Sequence, residues 1–182
     1  KSEITKIFIF GLENAGKSKI ASYFEMHEPN HYLNPTSTLK QEKWEIHKIN
    51  FNLWKEPGQD SFRKLWLRGI EMADILIFIL DTADQASYKE AKTEFEEILQ
   101  ELPNNNSPIL FFFHKMDLHQ ATANFAKAKT YFTDLDRLHH SRLDFKTSIN
   151  QPDTLDQAIK HIMNLSTTQN QTNTLKVKEY SI

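Results

Sequence analysis

ITKIFIFGLENAGKS, residues 4–18, is the stretch on which the fold turns. Its first half, Ile4–Phe10, is strongly apolar, as a strand buried on both faces of a parallel sheet should be. Its second half, Gly11–Ser18, is a complete G-x-x-x-x-G-K-S. The glycines let the backbone turn its N–H groups inward, so Glu13, Asn14, Ala15 and Gly16 line a cradle for α- and β-phosphates. Lys17 reaches the β/γ oxygens, and the Ser18 hydroxyl is a hard oxygen ligand for Mg²⁺. Residues from Lys17 to about Met26 read as a helix whose positive end points at the same anions.

Working outward, Ile75–Leu80 and Ile109–Phe113 repeat the continuous apolar pattern, and Leu143–Phe145 is a shorter strand candidate. Trp44 and Ile46, then Ile49, Phe51 and Leu53, alternate with polar residues instead, which suits an edge hairpin with one wet face. Helical spacing joins Tyr88, Ala91, Phe95, Ile98, Leu99 and Leu102, ended by Pro103. It also joins Leu155, Ala158, Ile159, Ile162 and Met163, where Thr154 with Gln157 offers a capping box. A further helix is expected over Ala123–Leu138. Strands alternating with helices predict a doubly wound α/β fold, a mostly parallel six-stranded sheet with helices on both faces. One domain is expected over residues 1–166. Residues 167–182 continue a Ser/Thr/Asn/Gln-rich stretch without periodicity and read as a disordered tail.

The chain has 182 residues, 39% hydrophobic and 25% charged, with a net charge of −2. That balance does not point to nucleic acid or an anionic membrane as partner. There are no cysteines, which excludes disulfides, thiol catalysis, thiolate metal sites and cysteine lipidation. No apolar run is long enough for a membrane span. The chain starts at Lys1 rather than Met, as a trimmed or processed start would. The expected location is cytoplasmic, with any membrane contact peripheral, through a partner or a preceding N-terminal segment. Eight histidines raise a metal reading. His139 and His140, however, are adjacent and do not share a helix face, so they are read as solvated surface.

The base is indicated further along the chain. His114-Lys115-Met116-Asp117 follows Ile109–Phe113, and Thr147-Ser148-Ile149 follows Leu143–Phe145. These resemble the N-K-x-D and S-A-K guanine loops of small GTPases, in the expected order at strand C-terminal ends, where open α/β sheets bind ligands. In such a site Asp117 accepts from guanine N1–H and the 2-amino group, which adenine lacks. The stem of Lys115 lies along the base, and the backbone N–H of Ile149 faces O6. His114, in place of the usual asparagine, is expected to bridge the guanine loop to the phosphate-loop backbone through a ring N–H.

With these residues in place the phosphate loop resembles that of Arf-like small GTPases of the Ras superfamily. Asn52-Leu53-Trp54 and Gly58-Gln59-Asp60 resemble Arf and Rag proteins, and the two guanine loops resemble Rag proteins in particular. The resemblance covers roughly residues 3–165 and implies a molecular switch that binds GTP or GDP with Mg²⁺. Effector and regulator proteins would dock on switch I and switch II, with a roadblock-type partner supplied in trans. Thr36 is the matching switch I residue for Mg²⁺ and the γ-phosphate, with Thr38 the alternate. Gly58 matches the γ-phosphate-sensing glycine, and Gln59 the catalytic residue that orients the attacking water. No arginine is placed as a cis finger, so hydrolysis should be slow and activator-dependent.

One position departs from the pattern. Three residues before Gly58, where the family carries an aspartate facing Mg²⁺, stands Lys55, and Pro57 stiffens the same loop. A catalytically impaired scaffold that binds nucleotide without significant turnover is therefore the alternative. A small P-loop kinase would need an arginine-rich lid, and residues 82–102 are acidic with no arginine. Arg63, Lys64 and Arg68, beside Trp66, read equally as the wet face of a core helix or as an effector surface.

Overall fold

The computed structural model describes residues 5–26, 40–46, 49–55, 70–101, 106–137 and 141–179. Thr5–Phe10 forms β1, and α1 follows over Lys17–Met26. The hairpin strands are β2 (Lys40–Ile46) and β3 (Ile49–Lys55). Then come β4 (Ile75–Asp81), α2 (Tyr88–Glu101) and β5 (Ile109–His114). The chain continues through α3 (His119–Phe132), β6 (Arg142–Lys146) and α4 (Pro152–Glu179).

Among the described residues the six strands form one sheet in the order β2-β3-β1-β4-β5-β6. Only the β2–β3 pair is antiparallel. Strands β1, β4 and β5, whose apolar runs cover both faces, occupy the centre, because a strand with no polar face must be covered on both sides. The strand order reverses between β1 and β4, which opens a crevice beyond their C-terminal ends. The phosphate loop leaves β1 at that point.

Alternation along each strand divides the core into two layers. Ile7, Ile9, Ile75, Ile77, Ile79, Leu110 and Phe112 face α1 and α4. Phe8, Phe10, Leu76, Phe78, Leu80, Phe111 and Phe113 face α2 and α3. The second layer is aromatic: the Phe78 ring lies 5.1 Å from Phe10, 4.7 Å from Phe95 and 5.0 Å from Phe111, centroid to centroid. Truncating such a ring costs about 3–5 kcal/mol. The crevice thus rests on a rigid floor.

Three expectations need correction. The helix expected to fill Ala123–Leu138 is α3, which starts earlier and gives way to a tight 3₁₀ turn at Thr133–Arg137. The capping box at Thr154 does not form, because Pro152 takes the first helical position, where its missing N–H costs nothing. Thr154 then lies inside the first turn, and its hydroxyl accepts from the backbone N–H of Ser148 at 3.0 Å. The polar tail is helical for most of its length, since α4 runs on to Glu179. The Ser166, Thr167 and Thr168 hydroxyls bond back to the carbonyls of Ile162, Met163 and Asn164, each at 2.9 Å. Extending a helix already anchored by Leu155, Ile159 and Ile162 costs far less than starting one, so weak propensity did not end it.

Candidate nucleotide site

The phosphate loop is shaped by four residues with positive φ or tight surroundings. Gly11 (φ 138°) and Gly16 (φ 111°) adopt conformations that L side chains rarely take. A Cβ on Gly11 would run into the carbonyl oxygen of Ile79, and one on Gly16 would come within 2.7 Å of His114 Cδ2. Asn14 is left-handed at φ 63°, a region that Asn tolerates better than most residues. Lys17 is buried, and its ammonium donates to the carbonyls of Gly11 and Leu12, the latter at 2.8 Å.

The guanine-type loops meet this cradle from β5 and β6. Lys115, also left-handed at φ 62°, donates from Nζ to the Asn14 carbonyl at 3.0 Å and to Asp81 Oδ2 at 2.5 Å. Three chain segments far apart in sequence are joined there by one ammonium. The backbone stitches the same corner: Met116 N–H donates to the Thr147 carbonyl, and Thr147 N–H to that of Phe113.

His114 is nearly fully buried, and its Nδ1 pairs with Thr147 Oγ1 at 2.9 Å. The opposite ring edge packs on Gly16. The expected hydrogen bond to the phosphate-loop backbone is thus replaced by one to Thr147, while the link to the phosphate loop is steric. Burial, reinforced by the nearby Lys115 charge, pushes the imidazole down to about 4, so it is neutral near pH 7.

Asp117 is half-buried. Burial opposes its ionisation, but hydrogen bonds from Ser148 Oγ (2.5 Å) and Asn150 Nδ2 (2.8 Å) outweigh it and hold the carboxyl below its usual range. Ser148 Oγ also accepts from Asn150 N–H, at 3.0 Å. The side chain of Ile149 goes into the core beside α1 and α4, leaving its backbone for any ligand.

Glu13, Asn14, Ala15 and Gly16 form the loop and Lys17 and Ser18 open α1; Lys115 is bonded to the Asn14 carbonyl, His114 packs on Gly16, and Asp117 is joined to Ser148. Thr36, Thr38, Pro57, Gly58 and Gln59 lie outside the described residues, as do Arg63, Lys64, Trp66 and Arg68. Lys55 ends β3, its backbone in register with Ile9 of β1.

Sequence reasoning missed Asp81, Asn150 and the hydroxyl of Thr154. Asp81 ends a buried strand at the crevice, which was signal enough. Asn150 follows the Ser148-Ile149 pair directly.

Among the described residues no cluster of three or more His, Asp or Glu could hold a metal. Among the described residues the Ser18 hydroxyl is a hard oxygen of the kind Mg²⁺ takes alongside waters and phosphate oxygens. Ser18 stands half-buried in the first turn of α1, beside the cradle. Among the described residues, no helix is long and apolar enough to cross a membrane.

Comparison with known proteins gives the following. The model of the ADP-ribosylation factor family matches residues 1–166. ADP-ribosylation factor-like protein 3 of Chlamydomonas reinhardtii is 32% identical over 118 residues. That alignment covers 65% of this chain and 66% of the relative, just under two thirds of its length. The structure of the Arl6 BBS3 small GTPase from Trypanosoma brucei with bound GppNp matches with a TM-score of 0.76 at 22% identity. It covers 92% of this chain and 99% of that one, and at this identity the likeness is one of fold.

Proposed function

This chain belongs to the ADP-ribosylation factor family of small GTPases, and from that premise we propose that it is a guanine-nucleotide switch. The observation carrying this reading is the Asp117 carboxylate, held toward its ionised form by Ser148 and Asn150 in a loop that Lys115 ties to the phosphate loop. Guanine presents N1–H and the 2-amino group to that carboxylate, whereas adenine presents neither and leaves it short of partners. The guanine loops keep their likeness to Rag proteins, and that likeness is part of the proposal.

Ser18 and Thr36 would hold Mg²⁺, which when bound supplies positive charge to the β- and γ-phosphate oxygens. Lys17 donates to a phosphate oxygen, the cradle N–H groups orient the phosphates, and Gln59 orients the attacking water. The structure of Arl6 BBS3 contains a nucleotide analogue, which supports nucleotide binding here by fold alone. Turnover is slow and depends on an activator, because the sequence offers no position that matches a cis arginine finger. Gly58 and Thr36 respond to the γ-phosphate and present switch I and switch II to effectors, a roadblock-type protein in trans included. The protein acts in the cytoplasm, with membrane contact only peripheral.

A second reading, nucleotide binding without significant turnover, is favoured by Lys55. Its backbone stands opposite Ile9, two residues before the phosphate loop begins, where the family places a carboxylate.

The test is displacement of a fluorescent guanine nucleotide. GTP and GDP should displace it at concentrations about a hundredfold or more below ATP. Asp117→Asn should shift the preference toward xanthine nucleotides. Equal displacement by ATP and GTP would remove the guanine assignment, and a separate turnover measurement decides between the two readings.

A further inference from the structure

The hydrogen bonding of Asp117 exceeds what a guanine-reading carboxylate needs. A carboxylate has about four lone-pair sites. Ser148 Oγ takes one on Oδ1, Asn150 Nδ2 takes one on Oδ2, and the backbone N–H of Asp117 itself also bonds the group. Guanine brings two donors, so five would compete for four sites.

The three protein donors are not equally replaceable. Ser148 is fully buried, its backbone N–H is held by Thr154, and its hydroxyl is further engaged by Asn150 N–H. The backbone N–H of Asp117 cannot leave. Asn150 is exposed, and among the described contacts only the bond to Oδ2 occupies its side-chain nitrogen.

We propose that Asn150 is a specificity-determining latch, whose amide stands in for the 2-amino group of guanine on Asp117 Oδ2 and must yield when the base arrives. This rests on the guanine reading of the site. The latch keeps the half-buried carboxylate satisfied between ligands, so the loop does not collapse around a bare charge. It also taxes binding, since one protein hydrogen bond is exchanged for one to ligand.

A purine without the 2-amino group makes the consequence specific. With inosine diphosphate the Asn150 amide can stay on Oδ2, filling the position that the missing group would take. The latch therefore narrows the difference between guanine and hypoxanthine. Removing it should widen that difference.

The experiment measures equilibrium affinity and association rate of GDP and inosine diphosphate for the full chain and for Asn150→Ala. GDP should bind the variant about three- to tenfold tighter, the worth of one exchanged hydrogen bond, and associate faster. Inosine diphosphate should bind it no better than the unaltered chain, so the ratio between the two ligands rises. A variant that binds GDP equally or more weakly, or whose ratio is unchanged or reduced, overturns the latch. Asn150→Asp should weaken both ligands by placing a second carboxylate beside Asp117. A second variant, Asn150→Gln, keeps an amide within reach of Oδ2 and should give a ratio between those of the unaltered chain and Asn150→Ala; a ratio outside that interval would also overturn the assignment. If the unaltered chain does not bind GDP at all, the guanine reading fails instead, which is a different result.

Discussion

Replacing Asp81 probes the contact that joins three segments of the site. The Asp81–Lys115 pair is 2.5 Å long, with side chains 18% and 30% exposed. Coulomb's law at an effective dielectric of 20 gives about 6.6 kcal/mol at that distance, an upper bound that ignores desolvation and side-chain entropy. Fully exposed pairs measure about 0.2–1 kcal/mol, and charge-assisted hydrogen bonds about 1.5–3 kcal/mol. The partial exposure places this pair between the two ranges, at roughly 1–2 kcal/mol. Asp81 also accepts from Ala83 N–H through Oδ1 at 3.0 Å, so Asp81→Ala removes two contacts. Asp81→Asn has one carbonyl oxygen and preserves only one of them. Without its anion, Lys115 keeps the Asn14 carbonyl but loses the partner that fixes its direction. Dissociation of labelled GDP should accelerate about 5- to 30-fold in the alanine variant and less in the asparagine variant. The acceleration should shrink against Lys115→Met, since the coupling needs both charges. A dissociation rate within twofold of the unaltered chain, in a variant that stays folded, would refute the structural role given to this pair.

Two other substitutions test the site by different means. His114 has a folded pKa of about 4 against an ordinary value of 6.5, so between those values the unfolded chain binds more protons. Its contribution to stability is fully present above pH 6.5 and is lost as pH falls toward 4, by up to about 1.4 kcal/mol per pH unit. Urea midpoints from pH 6.5 to 5 should therefore fall more steeply for the unaltered chain than for His114→Asn, and parallel curves would contradict this. Lys55→Asp restores the carboxylate of the family pattern, so Mg²⁺-dependent nucleotide retention should tighten and GTP turnover should rise. Brisk, ordinarily Mg²⁺-dependent turnover by the unaltered chain, without activator, would show that Lys55 does not impair the site.

Much of the fold was legible because its central strands are apolar on both faces. Ile75–Leu80 and Ile109–Phe113 have no polar residue to expose, so a covered sheet was the one physically sensible place for them. The phosphate loop was legible because its backbone needs glycine at two fixed positions. What stayed hidden were partnerships across sequence. Nothing local in Asp81 indicates Lys115, 34 residues on, nor does Asn150 announce Asp117. The capping box failed because a proline two residues upstream set the helix start. The tail was misread because composition describes an isolated segment, whereas here helix continues from a packed one.

Asn14 and Lys115 are both left-handed without being glycine, and they sit at the two ends of one hydrogen bond, Lys115 Nζ to the Asn14 carbonyl. Each conformation costs its residue on the order of 1 kcal/mol against the right-handed alternative. Neither residue can relax alone without pulling on the other. The two loops therefore behave as a loaded clasp: opened on the base side, it loosens the phosphate side in the same motion. A regulator seeking to empty this pocket would need to press on only one of them.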